Sequence, residues 1–194
     1  MPVRSVSNRG RKNVVGKFPS LKLGRMVTFE SGIERDFIYL LDYAPIVARF
    51  EEQPLAIEYE HEGKMHTYTP DFLIAFRNGR RALVECKPQK FVGREEYRRK
   101  FQAARAWCAG RGWVFHVATD EQIRAGYRVE NIKLLTQHAR HEPGTAVQQT
   151  ILNFLQAAPG RVCYSGRFST LGRRGHQPHF TEGVGLAENV DQAD

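Results

Sequence analysis

Asp71-Phe72-Leu73-Ile74-Ala75-Phe76, then Asn78-Gly79, then Arg81-Ala82-Leu83-Val84-Glu85-Cys86-Lys87: this stretch decides the fold. Two apolar runs of strand-forming residues flank an Asn-Gly pair, and Pro88 stops the second run, so the pattern predicts a hairpin. Side chains alternate along a strand. Asp71 therefore shares a face with Leu73 and Ala75, while Phe72, Ile74 and Phe76 fill the other face. On the second strand Glu85 and Lys87 share a face, and Val84 and Cys86 point into the core. Pairing residue 71 with residue 85 puts the midpoint at residue 78, inside the turn. One self-consistent register thus brings Asp71, Glu85 and Lys87 to the same end of the hairpin.

Upstream, the first of these strands is expected to run over residues 65–76, through Tyr68, Pro70 and Asp71. Glu62-Gly63-Lys64 predicts a turn, with strands over 47–53 and 55–61 separated by Pro54. Ser31-Gly32-Ile33-Glu34 opens a helix. Its apolar face is Ile33, Phe37, Leu40 and Leu41, and Pro45 ends it. Downstream, residues 95–109 predict a helix with Tyr97, Phe101, Ala104 and Cys108 on one face and Arg98, Arg99, Gln102 and Arg105 on the other. Gly110 and Gly112 close it. Residues 113–118 form a short apolar strand. It follows a crossover helix, so it should pair in parallel with the strand over 81–87. Thr119 to Gln122 has capping-box spacing, and residues 131–138 are expected to be helical. After a break at His141-Glu142-Pro143-Gly144, Thr145 and Gln148 again have capping-box spacing. Val147, Ile151, Phe154 and Leu155 then give an amphipathic helix closed by Pro159-Gly160. Beyond Arg161 the chain is Gly-rich and polar and is expected to be loosely ordered. The fold class is α/β, a mixed β-sheet flanked by helices. The expected divisions are a basic flexible arm over 1–25, a domain over 26–140, and an extension over 141–194 with one helix and an acidic tail.

A chain of 194 residues can bury a core without staples. No apolar run approaches the length that crosses a bilayer, which argues against a membrane span. The three cysteines, Cys86, Cys108 and Cys163, are odd in number and in no metal-ligand spacing. They read as free thiols of a reducing compartment, not as a zinc site. The seven histidines form no ligand pair either. The net charge of +8 favours a polyanionic partner. The charge is also segregated. No acidic residue precedes Glu30, a second basic cluster holds Arg94, Arg98, Arg99, Lys100 and Arg105, and the stretch from Thr181 carries only acids. Arg11 and Lys12 of the arm and the cluster of Arg94, Arg98, Arg99, Lys100 and Arg105 are candidate phosphate contacts, which give position and salt-sensitive affinity rather than base reading. A solvated helix face and an unstructured tail are the plain alternatives.

Carboxylates from neighbouring strands can hold one or two Mg²⁺ ions, hard cations that prefer oxygen ligands. The backbone carbonyl of Cys86 is a candidate additional ligand. Such a metal polarises a phosphodiester and lowers the pKa of a bound water, while a lysine beside that water orients it and stabilises the transition state. Any single Glu-x-Lys is more often an ordinary surface pair. Glu34 has two readings: it caps its own helix from the Ser31-x-x-Glu34 box, or it reaches toward the sheet and completes the metal site. Spacing alone leaves both open.

Four collinear segments resemble one family: Ser31-Gly32-Ile33-Glu34-Arg35-Asp36, Phe50-Glu51-Glu52-Gln53-Pro54-Leu55, Tyr68-Thr69-Pro70-Asp71-Phe72-Leu73 and Val84-Glu85-Cys86-Lys87-Pro88. Together they resemble the catalytic domain of TnsA-type endonucleases, the nuclease subunits of heteromeric transposases, over residues 25–138. The resemblance implies a restriction-endonuclease-like fold and Mg²⁺-dependent cleavage of double-stranded DNA at the 5′ ends of a transposon, with Mn²⁺ able to substitute. It implies Glu34, Asp71, Glu85 and Lys87 as the site, with Glu34, Asp71, Glu85 and the Cys86 carbonyl at the metal. It further implies a DDE-type transposase as partner, an ATPase regulator as a second one, and a DNA-associated protein of the bacterial cytoplasm. Gln53 lies in a family-like segment but is not placed at the metal. Larger family members carry a winged-helix-like domain after the nuclease, whereas here about fifty residues follow. Two other readings stand beside this one: a stand-alone restriction, repair or junction-resolving nuclease, and a DNA-binding scaffold that cleaves nothing.

Overall fold

In the computed structural model of the chain, the residues described are 14–139, 144–157, 161–164 and 167–170. Arg11, Lys12, the break at 141–143, Pro159-Gly160 and the acidic tail lie outside them. The elements run β1 (Gly16–Ser20), β2 (Arg25–Phe29), α1 (Gly32–Tyr43), β3 (Val47–Glu52), β4 (Ile57–His61), β5 (Lys64–Tyr68), β6 (Phe72–Phe76) and β7 (Arg81–Lys87). They continue with α2 (Gln89–Val92), α3 (Glu95–Ala109), β8 (Val114–Thr119), α4 (Asp120–Ile123), α5 (Arg128–His138), α6 (Thr145–Ala157), β9 (Arg161–Tyr164) and β10 (Arg167–Thr170).

The β6–β7 hairpin is the centre of the fold. Phe72 pairs with Val84 and Ala75 with Arg81, so the register is the expected one, and one further step would set 71 against 85. The connection is a three-residue loop, not the two-residue turn that Asn-Gly most often makes. Phe76 N–H donates to the Arg80 carbonyl at 2.9 Å, Gly79 N–H donates to the Phe76 carbonyl at 3.0 Å, and Gly79 has φ +84°. That left-handed position favours glycine. Gly79→Ala is expected to cost about 1 kcal/mol in denaturant unfolding. The cost is one of backbone alone, because a Cβ there meets nothing within 4 Å. A loss near zero would mean that the loop re-forms as another turn.

β3, β6, β7 and β8 form one sheet in the order β3-β6-β7-β8, with β7 and β8 parallel and the other pairs antiparallel. The sheet is buried on both sides. Phe37, Ile38 and Leu41 of α1 pack with Phe72, Ile74 and Val84 on one side; Phe101, Ala104 and Cys108 of α3 pack with Leu83 and Phe115 on the other. Leu83 and Val84 are both fully buried although they point to opposite faces. This explains the nearly unbroken apolar run of β7, since a strand covered on both faces loses its alternation. The face that carries Glu85 is therefore a second interior, not a surface.

The strand expected over 65–76 is two strands. Pro70 has no N–H to continue the ladder, and Thr69 before it is held extended. β5 pairs back on β4 in a separate hairpin through Glu62 and Gly63, both at positive φ (51° and 69°), while β6 enters the central sheet. Asp71 thus stands at the junction and not within a strand. Part of the flexible arm expected over 1–25, from residue 16 on, is ordered instead, while residues 1–13 lie outside those described. From Gly16 the chain forms the β1–β2 hairpin, with Phe18, Val27 and Phe29 in the core. Asp42 of α1 accepts from the Ser20 hydroxyl and, at 3.1 Å, from the backbone N–H groups of Leu21 and Lys22. The alternation of Phe18 and Ser20, and of Val27 and Phe29, was the available signal, masked by the density of basic residues. Two of those basic residues serve the fold itself. Arg25 forms a double hydrogen bond with buried Glu52 at 2.6 and 2.7 Å, and Lys22 donates to the carbonyls of Ala44 and, at 2.7 Å, Val47.

The helices stand close to their expected bounds. Ser31 caps α1, and Thr119 with Gln122 forms the complete capping box of α4. The short helix α2 after Pro88 has no periodicity to announce it. The contacts divide the chain between Lys133 and Leu134, inside α5, rather than at residue 140. The unit from Leu134 contains α6, which starts at Thr145 with Val147, Ile151 and Phe154 exposed on one stripe. It also contains β9 and β10, paired antiparallel, within the stretch expected to be loosely ordered; residues beyond 170 lie outside those described.

Candidate active site

At the end of the central sheet, a cleft of about 730 Å³ is lined by Glu34, Asp71, Glu85, Cys86 and Lys87 among others. Three different parts of the chain deliver them. The break at Pro70 aims Asp71, the end of β7 carries Glu85 to Lys87, and the first turn of α1 carries Glu34 over the sheet end. The β6–β7 ladder has stopped where Cys86 N–H still faces it. The Asp71 side chain takes the place of the missing carbonyl, with Oδ2 accepting from Cys86 N–H at 2.7 Å. The carbonyl of Asp71 accepts from Gln53 N–H at 2.8 Å, which ties the junction to the end of β3. These two bonds fix both backbone and side chain of Asp71.

Glu85 is buried. Its Oε2 accepts from the Tyr68 hydroxyl at 2.8 Å, and its Oε1 stands 2.8 Å from Lys87 Nζ. Lys87 Nζ also lies 4.5 Å from the centre of the Tyr97 ring. Burial works to discharge Lys87, but the charges of Glu85 and Asp71 outweigh it and hold the ammonium above its ordinary pKa. Lys87 is therefore a cation near neutrality and not a base. Glu34 helps to close the start of α1: its N–H donates to Ser31 Oγ at 3.2 Å, its Oε1 accepts from the Ser31 hydroxyl at 2.8 Å, and its Oε2 accepts from Glu30 N–H, one residue ahead of the cap, at 2.7 Å. It also lies within the field of the other acids. Burial chiefly raises its carboxyl pKa, with Glu30 and Glu85 adding to the rise. Asp71 is pushed well above the usual carboxylate range by burial first, then by Glu85 and Glu34. Glu34 is thus a cap that also lines the acidic cleft.

Oxygen donors of this kind suit a hard cation, and their mutual repulsion is what a cation would relieve. As placed, each carboxylate is turned to a protein donor, and among the described residues no three His, Cys, Asp or Glu side chains are drawn close enough to hold an ion. The donor set fits a divalent metal in kind, with side-chain rotation needed to close on it. Of the expected phosphate contacts among the described residues, only Lys100 lines the cleft itself. Arg94 stacks on Phe91, a lining residue, at 4.3 Å. Arg98 and Arg99 pair with Glu95, Arg99 also meets His61, and Arg105 lies 5.9 Å from the Phe115 ring centre.

Sequence reasoning passed over Arg124, gave Tyr68 no role, and noted Gln53 only as part of a family-like segment. The Tyr68–Glu85 bond joins two separate sheets, so no register could foretell it. Gln53 has φ +44°, a conformation rare outside glycine, and its Nε2 donates to Glu30 Oε1 at 2.8 Å beside the cleft. Its place directly before Pro54 at a strand end was the local hint of that backbone.

A mixed sheet between helices, with carboxylates and a lysine gathered where the central hairpin ends, is the architecture of the restriction-endonuclease-like nucleases. Within the chain, residues 44–120 match the family model for the TnsA-like endonuclease N-terminal domain. The match includes Gln53, Asp71, Glu85, Cys86 and Lys87, while Glu34 lies ahead of it. No curated protein matches the chain. The match supports a TnsA-type endonuclease family and points to a nuclease associated with transposition. No helix among the described residues is long and apolar enough to cross a membrane.

Proposed function

We propose that the chain is a metal-dependent DNA endonuclease that acts as the cleaving subunit of a heteromeric transposase. One observation carries this reading: Glu34, Asp71, Glu85 and Lys87, from three separate parts of the chain, line one cleft, in which burial and like charge hold Asp71 above its ordinary pKa. Glu34, Asp71, Glu85 and the Cys86 carbonyl would hold Mg²⁺, for which Mn²⁺ could substitute. The Cys86 carbonyl is on the strand edge where Asp71 caps the N–H, since a strand residue points both groups to one neighbour. The bound ion would supply Lewis-acid polarisation of the phosphate and a more acidic water. The chain's own part is positioning and charge. Asp71 is fixed from two sides, Tyr68 and Lys87 hold Glu85, and the Lys87 ammonium is placed to donate to an attacking water or to a charged phosphate oxygen. A protein of this kind would work on DNA beside a DDE-type transposase, in the bacterial cytoplasm, with an ATPase regulator as a further partner.

The test is nicking of supercoiled plasmid with Mg²⁺ or Mn²⁺, by the chain alone and with the transposase encoded beside it. Cleavage only with the transposase is expected. Cleavage by the isolated chain would make it a stand-alone nuclease, and none in either arm would overturn the nuclease reading. Glu34→Gln separates the two roles of that residue. Gln keeps one acceptor oxygen for the Glu30 N–H and sheds the buried charge, so the melting temperature should hold or rise slightly while cleavage falls at least about a hundredfold. Unchanged cleavage in that variant would leave Glu34 as a cap only.

A further inference from the structure

Asp36 is buried in α1, two residues beyond Glu34, and three cations surround it. Arg124 Nε donates to its Oδ2 at 2.8 Å, Lys133 Nζ lies 2.7 Å from Oδ1, and an Arg35 Nη atom lies 3.5 Å from Oδ1. The Asp36 side chain is 4% exposed, the Arg124 side chain 45%. Lys133 alone would neutralise the carboxylate, so the group carries excess positive charge. The direction of Arg124 is specific. Asp36 engages its Nε, while Nη2 lies 3.8 Å from the position of a Cβ built on Gly32, at the start of α1. Arg124 also lines the cleft that contains Asp71 and Lys87. A guanidinium held by one edge on a buried carboxylate presents its remaining N–H donors in a set orientation, which is the form of a phosphate clamp.

We infer that Arg124, oriented by Asp36, is a phosphate-binding residue that grips the backbone of the DNA strand in the cleft, next to the phosphodiester to be cut. This rests on the reading of the cleft as a nuclease site, and it adds a residue that positions substrate without touching the metal. Lys100 lies along the same cleft lining, so the acids stand among cations that a phosphate chain would meet. An acidic site needs such cations, because its own charge repels the substrate before a metal binds.

The experiment reads DNA binding without metal, by fluorescence anisotropy of a labelled duplex in EDTA over a range of salt. Arg124→Ala should weaken binding about tenfold, the scale of one charge-assisted contact. The slope of log affinity against log salt should become shallower by about 0.9, one phosphate contact fewer. Asp36→Asn should also weaken binding in the wild-type background yet add nothing to Arg124→Ala, because Asp36 acts through Arg124. A merely structural ion pair would change melting in both variants and leave affinity and salt slope alone; that outcome overturns the proposal. If Arg124→Ala melts too low to assay, Arg124→Lys, scanned against duplexes carrying one neutral methylphosphonate at a time, decides the matter. Wild type should lose affinity at a particular phosphate where the variant loses little, and equal losses at every position would count against the clamp. A wild-type chain that cuts DNA while Arg124→Ala binds normally sinks this inference alone. A wild-type chain that binds no DNA sinks the nuclease reading with it.

Discussion

Asp71→Asn is expected to abolish DNA cleavage, by at least about a thousandfold, and at the same time to raise the melting temperature of the metal-free protein. The two effects have one cause. Asp71 stands in a cleft with Glu34 and Glu85, and burial with their charges lifts its pKa well above the ordinary carboxylate value. The sign follows from linkage. The folded chain holds the Asp71 proton to a higher pH than the unfolded chain does. Stability is therefore lost as pH rises from the unfolded value, about 3.9, through the raised folded one. Asparagine cannot ionise, and its side-chain carbonyl can still accept the Cys86 N–H, so the variant escapes that loss. Melting curves of the two proteins should converge at acid pH and separate as pH rises, by roughly 2–4 °C for each kcal/mol relieved in a chain of this size. Mg²⁺ should raise the melting temperature of the wild type far more than that of the variant, since a ligand stabilises only the fold that binds it. A variant less stable than wild type at neutral pH, with an unaltered response to Mg²⁺, would show that Asp71 is a structural link between strands and not a strained site residue.

Lys87→Met should lose cleavage by about 10²–10³-fold, the usual cost of removing one donor aimed at transition-state charge. Here stability moves the other way. The methionine removes the cation 2.8 Å from Glu85 Oε1 and leaves a buried carboxylate with the Tyr68 hydroxyl as its remaining direct partner. Removing one member of a largely buried pair is costly, here about 1–3 kcal/mol because the Lys87 side chain is 19% exposed. Adding Glu85→Gln to Lys87→Met should recover most of that stability and none of the activity. A double variant as unstable as Lys87→Met would trace the loss to packing of the lysine stem against Tyr97. Near-normal cleavage by Lys87→Met would remove the lysine from the site.

Asp71 and Lys87 thus pull stability in opposite directions while serving one cleft. The acids repel one another, and Lys87 and the Tyr68 hydroxyl hold the arrangement together until a cation arrives. This conflict between local stability and arrangement is usual where a fold carries chemistry.

The sequence by itself determined the central hairpin and its register. Both depend on short-range rules: alternation along a strand, a glycine able to take positive φ, and a proline that ends a ladder. The same rules placed α1, α3 and the parallel β8, and they brought Asp71, Glu85 and Lys87 to one end without any contact having to be known. The tertiary structure decided what depends on meetings across the chain. Thr69-Pro70 could be read as a kink in one long strand; only packing shows that β5 and β6 part into different sheets and set Asp71 in the gap. Tyr68 reaches Glu85 from a separate hairpin, and Arg124 reaches Asp36 across 88 positions. Periodicity cannot register such pairs, since a buried charge is fixed by whichever distant partner satisfies it and not by its neighbours in sequence. The hairpin of Phe18 and Val27 was hidden for a related reason, because a basic stretch looks the same whether its charges face water or, like Arg25 on Glu52, hold a buried acid in place.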